Sequence, residues 1–174
     1  KSTKRKIHNT KLKDGIKKLT KTAKKEIVAS DSKSKDTVKA TIKAIDKAVK
    51  KGIMKKVLVV EDDQFLANAY KLKLSNSDFD VKVASDGKEA LSIMEEFLPD
   101  VVLLDLIMPN MDGFETLQVM KASDKLKSVP VIVASNLGQK EDFDKATALG
   151  ASDFIIKSNV SIEDIITKVN KLIS

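Results

Sequence analysis

The stretch KVLVVEDD, residues 56–63, places four consecutive apolar residues directly before three carboxylates. Comparable apolar runs recur further along the chain as VVLL, VIVA and FII, at residues 101–104, 131–134 and 154–156. Strands that are apolar on both faces are typical of a parallel sheet covered by helices on each side. Segments of helical spacing separate these runs, so the sequence predicts an α/β fold with a doubly wound parallel sheet.

A further segment, FDVKVAS at residues 79–85, alternates apolar and polar side chains. This alternation predicts a strand with one buried face and one solvent-exposed face, as is typical at the edge of a sheet. With this second strand at the edge, the five strands take the order 2-1-3-4-5. In that order the first and third strands flank the topological switch point, where ligands bind in open α/β sheets.

Polar side chains follow the predicted strands at the points where they end. The first strand is followed by Glu61, Asp62 and Asp63, the third by Asp105, the fourth by Ser135 and Asn136, and the fifth by Lys157. Taken singly, Asp62 or Asp63 can cap the next helix, and Ser135 can stabilise a turn. Because the carboxyl ends of parallel strands meet at one edge, these residues together predict a functional site there.

The residue types at this edge favour phosphoryl chemistry. Neighbouring carboxylates repel one another unless a cation lies among them, and oxygen ligands without His or Cys select Mg²⁺ or Mn²⁺. A carboxylate held by such an ion can attack phosphorus, and the transferred group needs a second positive charge on another side. Lys157 supplies that charge, and the hydroxyl of Ser135 can donate to a phosphoryl oxygen.

The segments KVLVVEDD, VVLLDLIMPNMDGFE, PVIVASN and GASDFIIK carry a family resemblance. In order and spacing they resemble the receiver domain of bacterial two-component response regulators, the CheY-like domain, over residues 54–174. The resemblance implies a flavodoxin-like fold in which Asp105 is the phosphoacceptor. It also implies that Glu61, Asp62, Asp105 and the backbone carbonyl of Ile107 hold Mg²⁺ or Mn²⁺.

The same resemblance implies a switch and a partner. Lys157 matches the lysine that contacts the phosphoryl group, Ser135 the switch hydroxyl, and Phe154 the aromatic ring that turns inward after phosphorylation. A histidine kinase or a phosphotransfer protein would be the phosphodonor in a phosphorelay. The domain would phosphorylate itself rather than turn over a free substrate, so we do not expect an enzyme. We expect no DNA-reading output domain, and we expect the output to come from the receiver surface or the amino-terminal segment.

The amino-terminal third has the opposite charge. Residues 1–56 carry 20 Lys and Arg against 5 Asp and Glu, whereas residues 57–174 carry 12 against 20. Such a positive segment implies a polyanionic partner. Apolar residues at helical spacing predict two helices, with a turn at SDSKSKD and an end at Gly52. We therefore predict a basic antiparallel two-helix hairpin over residues 1–53, joined to a second domain at 54–174.

The segments KSTKRKIHNTKLKDGIKKLTKTAKK and AIDKAVKKGIMKK resemble the small-subunit ribosomal protein called S-twenty, a three-helix bundle that binds small-subunit rRNA. The resemblance implies rRNA binding through residues 1–53. The side chains expected to contact the RNA are Lys4, Arg5, Lys6, Lys11, Lys13, Lys17, Lys18, Lys50 and Lys51. The third helix of that family has no counterpart, because the strand VLVV follows Gly52 instead.

Three functions are compatible with the two segments. In the first, a receiver that can be phosphorylated regulates the hairpin that docks on rRNA, or is brought to the rRNA by that hairpin. Alternatively, an ordinary signalling receiver carries a basic tail that binds nucleic acid without specificity, or a ribosomal small-subunit protein carries a receiver fold as a passive addition. The retained carboxylates disfavour the last alternative, because a passive fold has no need of mutually repelling charges.

Composition also limits the cellular context. The sequence contains no cysteine, which excludes disulfides and thiolate metal sites. It has no signal peptide pattern, and Asp105 interrupts its longest apolar run, so we expect no membrane partner and a cytoplasmic location.

Overall fold

One parallel sheet organises residues 54–173, the part of the chain that the computed structural model describes. Its five strands in this part are β1 Lys55–Val60, β2 Phe79–Ala84, β3 Val101–Leu104, β4 Val131–Ser135 and β5 Asp153–Ile156. They lie in the order β2-β1-β3-β4-β5, and every neighbouring pair is parallel. The predicted α/β class and strand order are confirmed.

Five α-helices connect and follow these strands within the same described range. They are α1 Gln64–Asn76, α2 Gly87–Glu96, α3 Gly113–Ala122, α4 Lys140–Ala148 and α5 Ile162–Ile173, with a short 3₁₀ helix at Lys157–Asn159. Aspartates begin the first three: Asp63 caps α1, Asp86 caps α2, and Asp112 forms a capping box with Glu115 at α3. A capping carboxylate satisfies backbone N–H groups that have no partner within the helix. An aspartate therefore begins each helix that follows β1, β2 and β3.

Alternate side chains of the central strands enter two apolar layers. On one face, Leu58 and Leu104 pack with residues of α2 and α3. On the other face, Val57 and Leu103 pack with residues of α1 and α5. The strands β1, β3 and β4 are buried almost throughout, whereas β2 exposes Lys82, as predicted for an edge strand. This arrangement leaves the carboxyl edge of the sheet to polar residues.

The predicted hairpin over residues 1–53, with the lysines and Arg5 that are expected to contact RNA, lies outside the described residues. It therefore stays a prediction from sequence. Within residues 54–173, no helix is both long enough and apolar enough to cross a membrane.

Candidate functional site

The register of the central strands brings two carboxylates to the same edge. Val60 pairs with both Ala84 and Leu104, so β1 and β3 end at the same level. The backbone N–H of Asp105 donates to the carbonyl of Val60 at 2.9 Å. Glu61 and Asp105 follow these strand ends, and only 4% and 7% of their surfaces are exposed. Two acidic residues are thus held side by side in a largely buried position.

Asp62 completes a three-carboxylate cluster. Glu61, Asp62 and Asp105 each offer an oxygen, and these oxygens lie within 4.8 Å of one another. Asp62 is exposed to solvent, unlike the other two. The side chain of Asp63 instead accepts hydrogen bonds from the N–H groups of Phe65 at 2.8 Å and Leu66 at 3.1 Å. The structure therefore assigns helix capping to Asp63 and leaves Asp62 to the cluster.

Lys157 forms ion pairs with both buried carboxylates. Its Nζ lies 2.7 Å from Asp105 Oδ2 and 2.7 Å from Glu61 Oε2, and the lysine side chain is 8% exposed. Its position follows from the pairing of Ser135 with Ile156, which ends β4 and β5 together. The ammonium group offsets part of the repulsion among the carboxylates.

The electrostatic state of the cluster depends on its burial. Burial raises the pKa of Glu61 from its ordinary 4.5 to about 7, and Asp105 and Asp62 add to this rise while Lys157 opposes it. Burial also raises the pKa of Tyr70 to about 12, with further contributions from Glu61 and Asp105. Tyr70 lies on the buried face of α1 and was not singled out from the sequence. The sequence could have indicated its burial, because Tyr70 lies at helical spacing from the apolar residues Ala67 and Leu74.

Replacing Glu61 by glutamine is expected to stabilise the metal-free protein at pH 8. Between pH 4.5 and about 7 the folded state binds more protons than the unfolded state, so the free energy of unfolding falls as pH rises through this window. Glutamine removes this penalty, which we expect to amount to about 1–2 kcal/mol after solvent screening. Urea denaturation in EDTA at pH 5 and pH 8 measures the difference.

A matched control for this substitution is Glu96→Gln, on the exposed end of α2. It should change the free energy of unfolding by less than about 0.5 kcal/mol at either pH. A Glu61→Gln variant that is less stable than the wild type at pH 8 would show that the ion pair with Lys157 outweighs the cost of burial.

Backbone groups hold the carboxylate of Asp105. Its Oδ1 accepts from the N–H of Leu106 at 2.6 Å and from the N–H of Ile107 at 3.4 Å. The N–H of Gly113 donates to the carbonyl of Leu106 at 3.0 Å, which brings the start of α3 against β3. A Cβ atom on Gly113 would lie 2.1 Å from the carbonyl oxygen of Asp105. Gly113 therefore constrains the backbone at Asp105, and the sequence analysis did not single it out.

The two residues predicted to switch lie on β4 and β5, with Ser135 at the end of β4 and Phe154 within β5. Ser135 is fully buried, and its Oγ accepts from the N–H of Leu137 at 3.2 Å rather than contacting Asp105. Phe154 is partly buried and, like Leu137, packs against the cluster of Leu106, Val133 and Ala146. Its ring also meets the half-exposed ring of Phe143 edge to face, with centroids 5.8 Å apart. The two rings link the interior beside β5 to the outer surface of α4.

Comparison with known proteins agrees with this geometry. The family model described as the response regulator receiver domain matches residues 57–170. This chain belongs to that family. The chain is similar to the chemotaxis protein CheY of Listeria monocytogenes, with 41% identity over 103 residues, 59% of this chain and 85% of that protein. The receiver domain is therefore matched almost from end to end.

Longer regulators and solved receivers match the same region. The chain is 38% identical over 104 residues to the probable transcriptional regulator ycf27 of Guillardia theta, covering 59% of this chain and 39% of that one. It is 28% identical over 118 residues to the DNA-binding dual master transcriptional regulator RpaA of Synechocystis, covering 68% and 48%. The chain thus spans less than half the length of these two relatives. The receiver domain of the Francisella response regulator 1452 superposes with a TM-score of 0.64 at 34% identity, covering 68% of this chain and 96% of that one.

The family sets the class of activity. Receiver domains are phosphoacceptor signalling domains that take phosphate from histidine kinases, and they are not turnover enzymes. They bind Mg²⁺ at an acidic pocket, which corresponds here to the cluster of Glu61, Asp62 and Asp105. Three carboxylate oxygens without a histidine or cysteine fit a hard divalent cation. The donor set of this chain therefore suits the ion that the family uses.

Proposed function

We propose that Asp105 accepts a phosphoryl group from the phosphohistidine of a histidine kinase or phosphotransfer protein, in a reaction that requires Mg²⁺ or Mn²⁺. The observation that carries this proposal is the buried pairing of Lys157 with Asp105 and Glu61, next to the exposed Asp62. A buried ion pair usually contributes no more stability than apolar residues of similar volume, so stability alone does not account for these three charged groups and a chemical role is favoured.

In the proposed step, a carboxylate oxygen of Asp105 forms a bond to phosphorus as the phosphorus–nitrogen bond of phosphohistidine breaks. The imidazole nitrogen leaves with the electron pair and takes a proton from solvent. The N–H groups of Leu106 and Ile107 orient the carboxylate throughout. Lys157 can shift its Nζ from Glu61 to a phosphoryl oxygen and so neutralise charge on the transferred group.

The metal-binding residues would be Glu61, Asp62, Asp105 and the backbone carbonyl of Ile107. When bound, a divalent cation neutralises charge on the phosphoryl oxygens. The exposure of Asp62 leaves one side of the cluster open to the ion and to the phosphodonor. The pairing of Glu61 with Lys157 keeps the buried carboxylates compatible with the fold in the absence of the ion.

The proposed response uses Ser135 and Phe154. The hydroxyl of Ser135 accepts from Leu137 and retains its own proton, which it can donate to a phosphoryl oxygen. Movement of Ser135 toward Asp105 would make room for Phe154 to turn inward and away from Phe143. Helix α4 has one fully buried residue, Ala146, so few packing contacts oppose its displacement. Phosphorylation would then shift an existing equilibrium between two arrangements of this face.

Incubation with acetyl phosphate and Mg²⁺ tests the proposal on the full chain. Borohydride reduces an aspartyl phosphate to homoserine, and peptide mass spectrometry should locate that change at Asp105. The nearby Asp112 is an internal control, because its carboxylate caps α3 and has no proposed acceptor role. No modification should form in EDTA or in the Asp105→Asn variant. Homoserine at another residue, or none in the wild type, would overturn the proposal.

For residues 1–53 we propose binding to small-subunit rRNA, with the receiver of the same chain regulating this segment or being delivered by it. The support is sequence alone, namely the excess of basic residues and the resemblance to the ribosomal family. Co-sedimentation with small ribosomal subunits, before and after treatment with acetyl phosphate, tests this proposal. Binding that disappears at moderate salt would favour a non-specific basic tail instead.

A further inference from the structure

The loop between β3 and α3 forms a lobe that is closed at its base. The N–H of Gly113 donates to the carbonyl of Leu106 at 3.0 Å, so residues 107–112 project from that closing bond. Ile107 is 58% exposed, and Pro109 and Asn110 are also exposed. Met108, between them, is 8% exposed and packs in the apolar layer beneath α2 and α3. The exposed residues have little apolar packing of their own, so the backbone around Asn110 depends on polar contacts.

Asn110 connects this lobe to the start of α2. Its Nδ2 donates to Asp86 Oδ2 at 2.8 Å, and the other oxygen of Asp86 accepts from the N–H of Glu89 at 2.9 Å. Asp86 is 9% exposed and thus largely removed from solvent. One carboxylate therefore both caps α2 and holds the side chain of Asn110.

The backbone of the lobe is held in an uncommon conformation at the same point. Asn110 has a φ of 64°, in the left-handed region that residues other than glycine adopt infrequently. Beside it, the N–H of Gly87 donates to the carbonyl of Met111 at 3.2 Å. A Cβ on Gly87 would lie 1.9 Å from Oγ1 of Thr116 and 2.8 Å from Cγ of Met111, so α2 lies directly against the lobe. The Asp86–Asn110 bond secures this arrangement.

We propose that Asp86 and Asn110 are positioning residues for the metal site: their hydrogen bond fixes the backbone of residues 107–111 and thereby the carbonyl of Ile107. The inference rests on the proposed function, in which that carbonyl is a metal ligand. Hydrogen bonds donated by the N–H of Glu89 and by Asn110 lower the pKa of Asp86, because they stabilise its ionised carboxylate. Neither residue touches the carboxylate cluster, so each acts through the loop.

Two substitutions remove the bond from opposite sides. Asn110→Gly removes the donor while tolerating the positive φ. Asp86→Ser removes the oxygen that faces Asn110 while retaining a hydroxyl that can cap α2. Outer residues that orient metal ligands typically contribute tenfold or more to affinity, so each variant should bind Mg²⁺ about tenfold more weakly. Isothermal titration of the full chain with MgCl₂ measures this affinity without any phosphoryl transfer.

The double variant shows whether the two substitutions weaken Mg²⁺ binding through loss of the same hydrogen bond or through independent effects. If both substitutions break the same bond, the double variant should bind Mg²⁺ about as weakly as each single variant, rather than about a hundredfold more weakly than the wild type. Amide hydrogen exchange within residues 107–111 should also become faster in all three variants.

Lys121→Met serves as a control for loss of stability alone. The Nζ of Lys121 donates to the carbonyl of Val129 at 2.8 Å and to that of Lys127 at 3.3 Å, at the opposite end of the sheet. Its loss should lower the free energy of unfolding without changing the affinity for Mg²⁺.

Single variants that bind Mg²⁺ as tightly as the wild type, or a double variant with multiplied effects, would overturn the inference. A wild-type chain that binds no Mg²⁺ would overturn the proposed metal site as well.

Discussion

Replacing Lys157 by methionine is expected to destabilise the protein by about 3 kcal/mol at pH 8 and to slow phosphorylation of Asp105 about a hundredfold. The substitution retains an apolar stem but leaves Glu61 and Asp105 buried without their cation. The destabilisation should be smaller at pH 5, because burial raises the pKa of Glu61 to about 7 and protonation of Glu61 removes part of the uncompensated charge. Urea denaturation at both pH values and the rate of labelling by acetyl phosphate measure the two effects.

A matched control is Lys168→Met on α5. Lys168 pairs with Asp153, and their side chains are 38% and 32% exposed, so the pair should contribute no more than about 1 kcal/mol. This variant should also be phosphorylated at the rate of the wild type. If Lys157→Met and Lys168→Met destabilised the protein equally at pH 8, the buried pairing of Lys157 would have no special energetic role.

The carboxyl-edge residues could be predicted because sequence periodicity alone locates the ends of parallel strands. Glu61, Asp105 and Lys157 each follow an apolar run, and parallel strands bring such positions together. The choice between Asp62 and Asp63 could not be made in the same way, since both follow β1 directly. It depends on which carboxylate meets the free N–H groups of α1, and that is Asp63.

Other features depend on contacts between distant segments. The bond between Asp86 and Asn110 joins residues 24 positions apart, and neither belongs to a recognisable motif for that contact. The edge-to-face pair of Phe143 and Phe154 requires α4 to lie beside β5, with a rotation about its axis that weak apolar periodicity does not define. Both features are therefore products of tertiary packing, whereas the carboxylate cluster follows from topology.

Gly113 shows how packing constrains the phosphoacceptor. Its φ does not lie in the left-handed region, so the local backbone conformation would accept alanine. The constraint is the close approach of α3 to β3: a Cβ would lie 2.1 Å from the carbonyl oxygen of Asp105 and 2.7 Å from Cα of Leu106. These are backbone atoms of the two residues that directly follow β3, so neither can move without displacing the carboxylate of Asp105.

The Gly113→Ala variant is therefore expected to lose about 3 kcal/mol of stability and to be phosphorylated at least about tenfold more slowly. Gly138→Ala is the matched control, because its Cβ would lie 3.2 Å from Cδ1 of Ile156, the mobile end of a side chain. The control should change stability by less than about 1 kcal/mol, since alanine also restricts the unfolded chain. Thermal denaturation and labelling by acetyl phosphate compare the two variants. Equal behaviour would mean that α3 can move away from β3 at little cost, and that the position of Asp105 does not depend on Gly113.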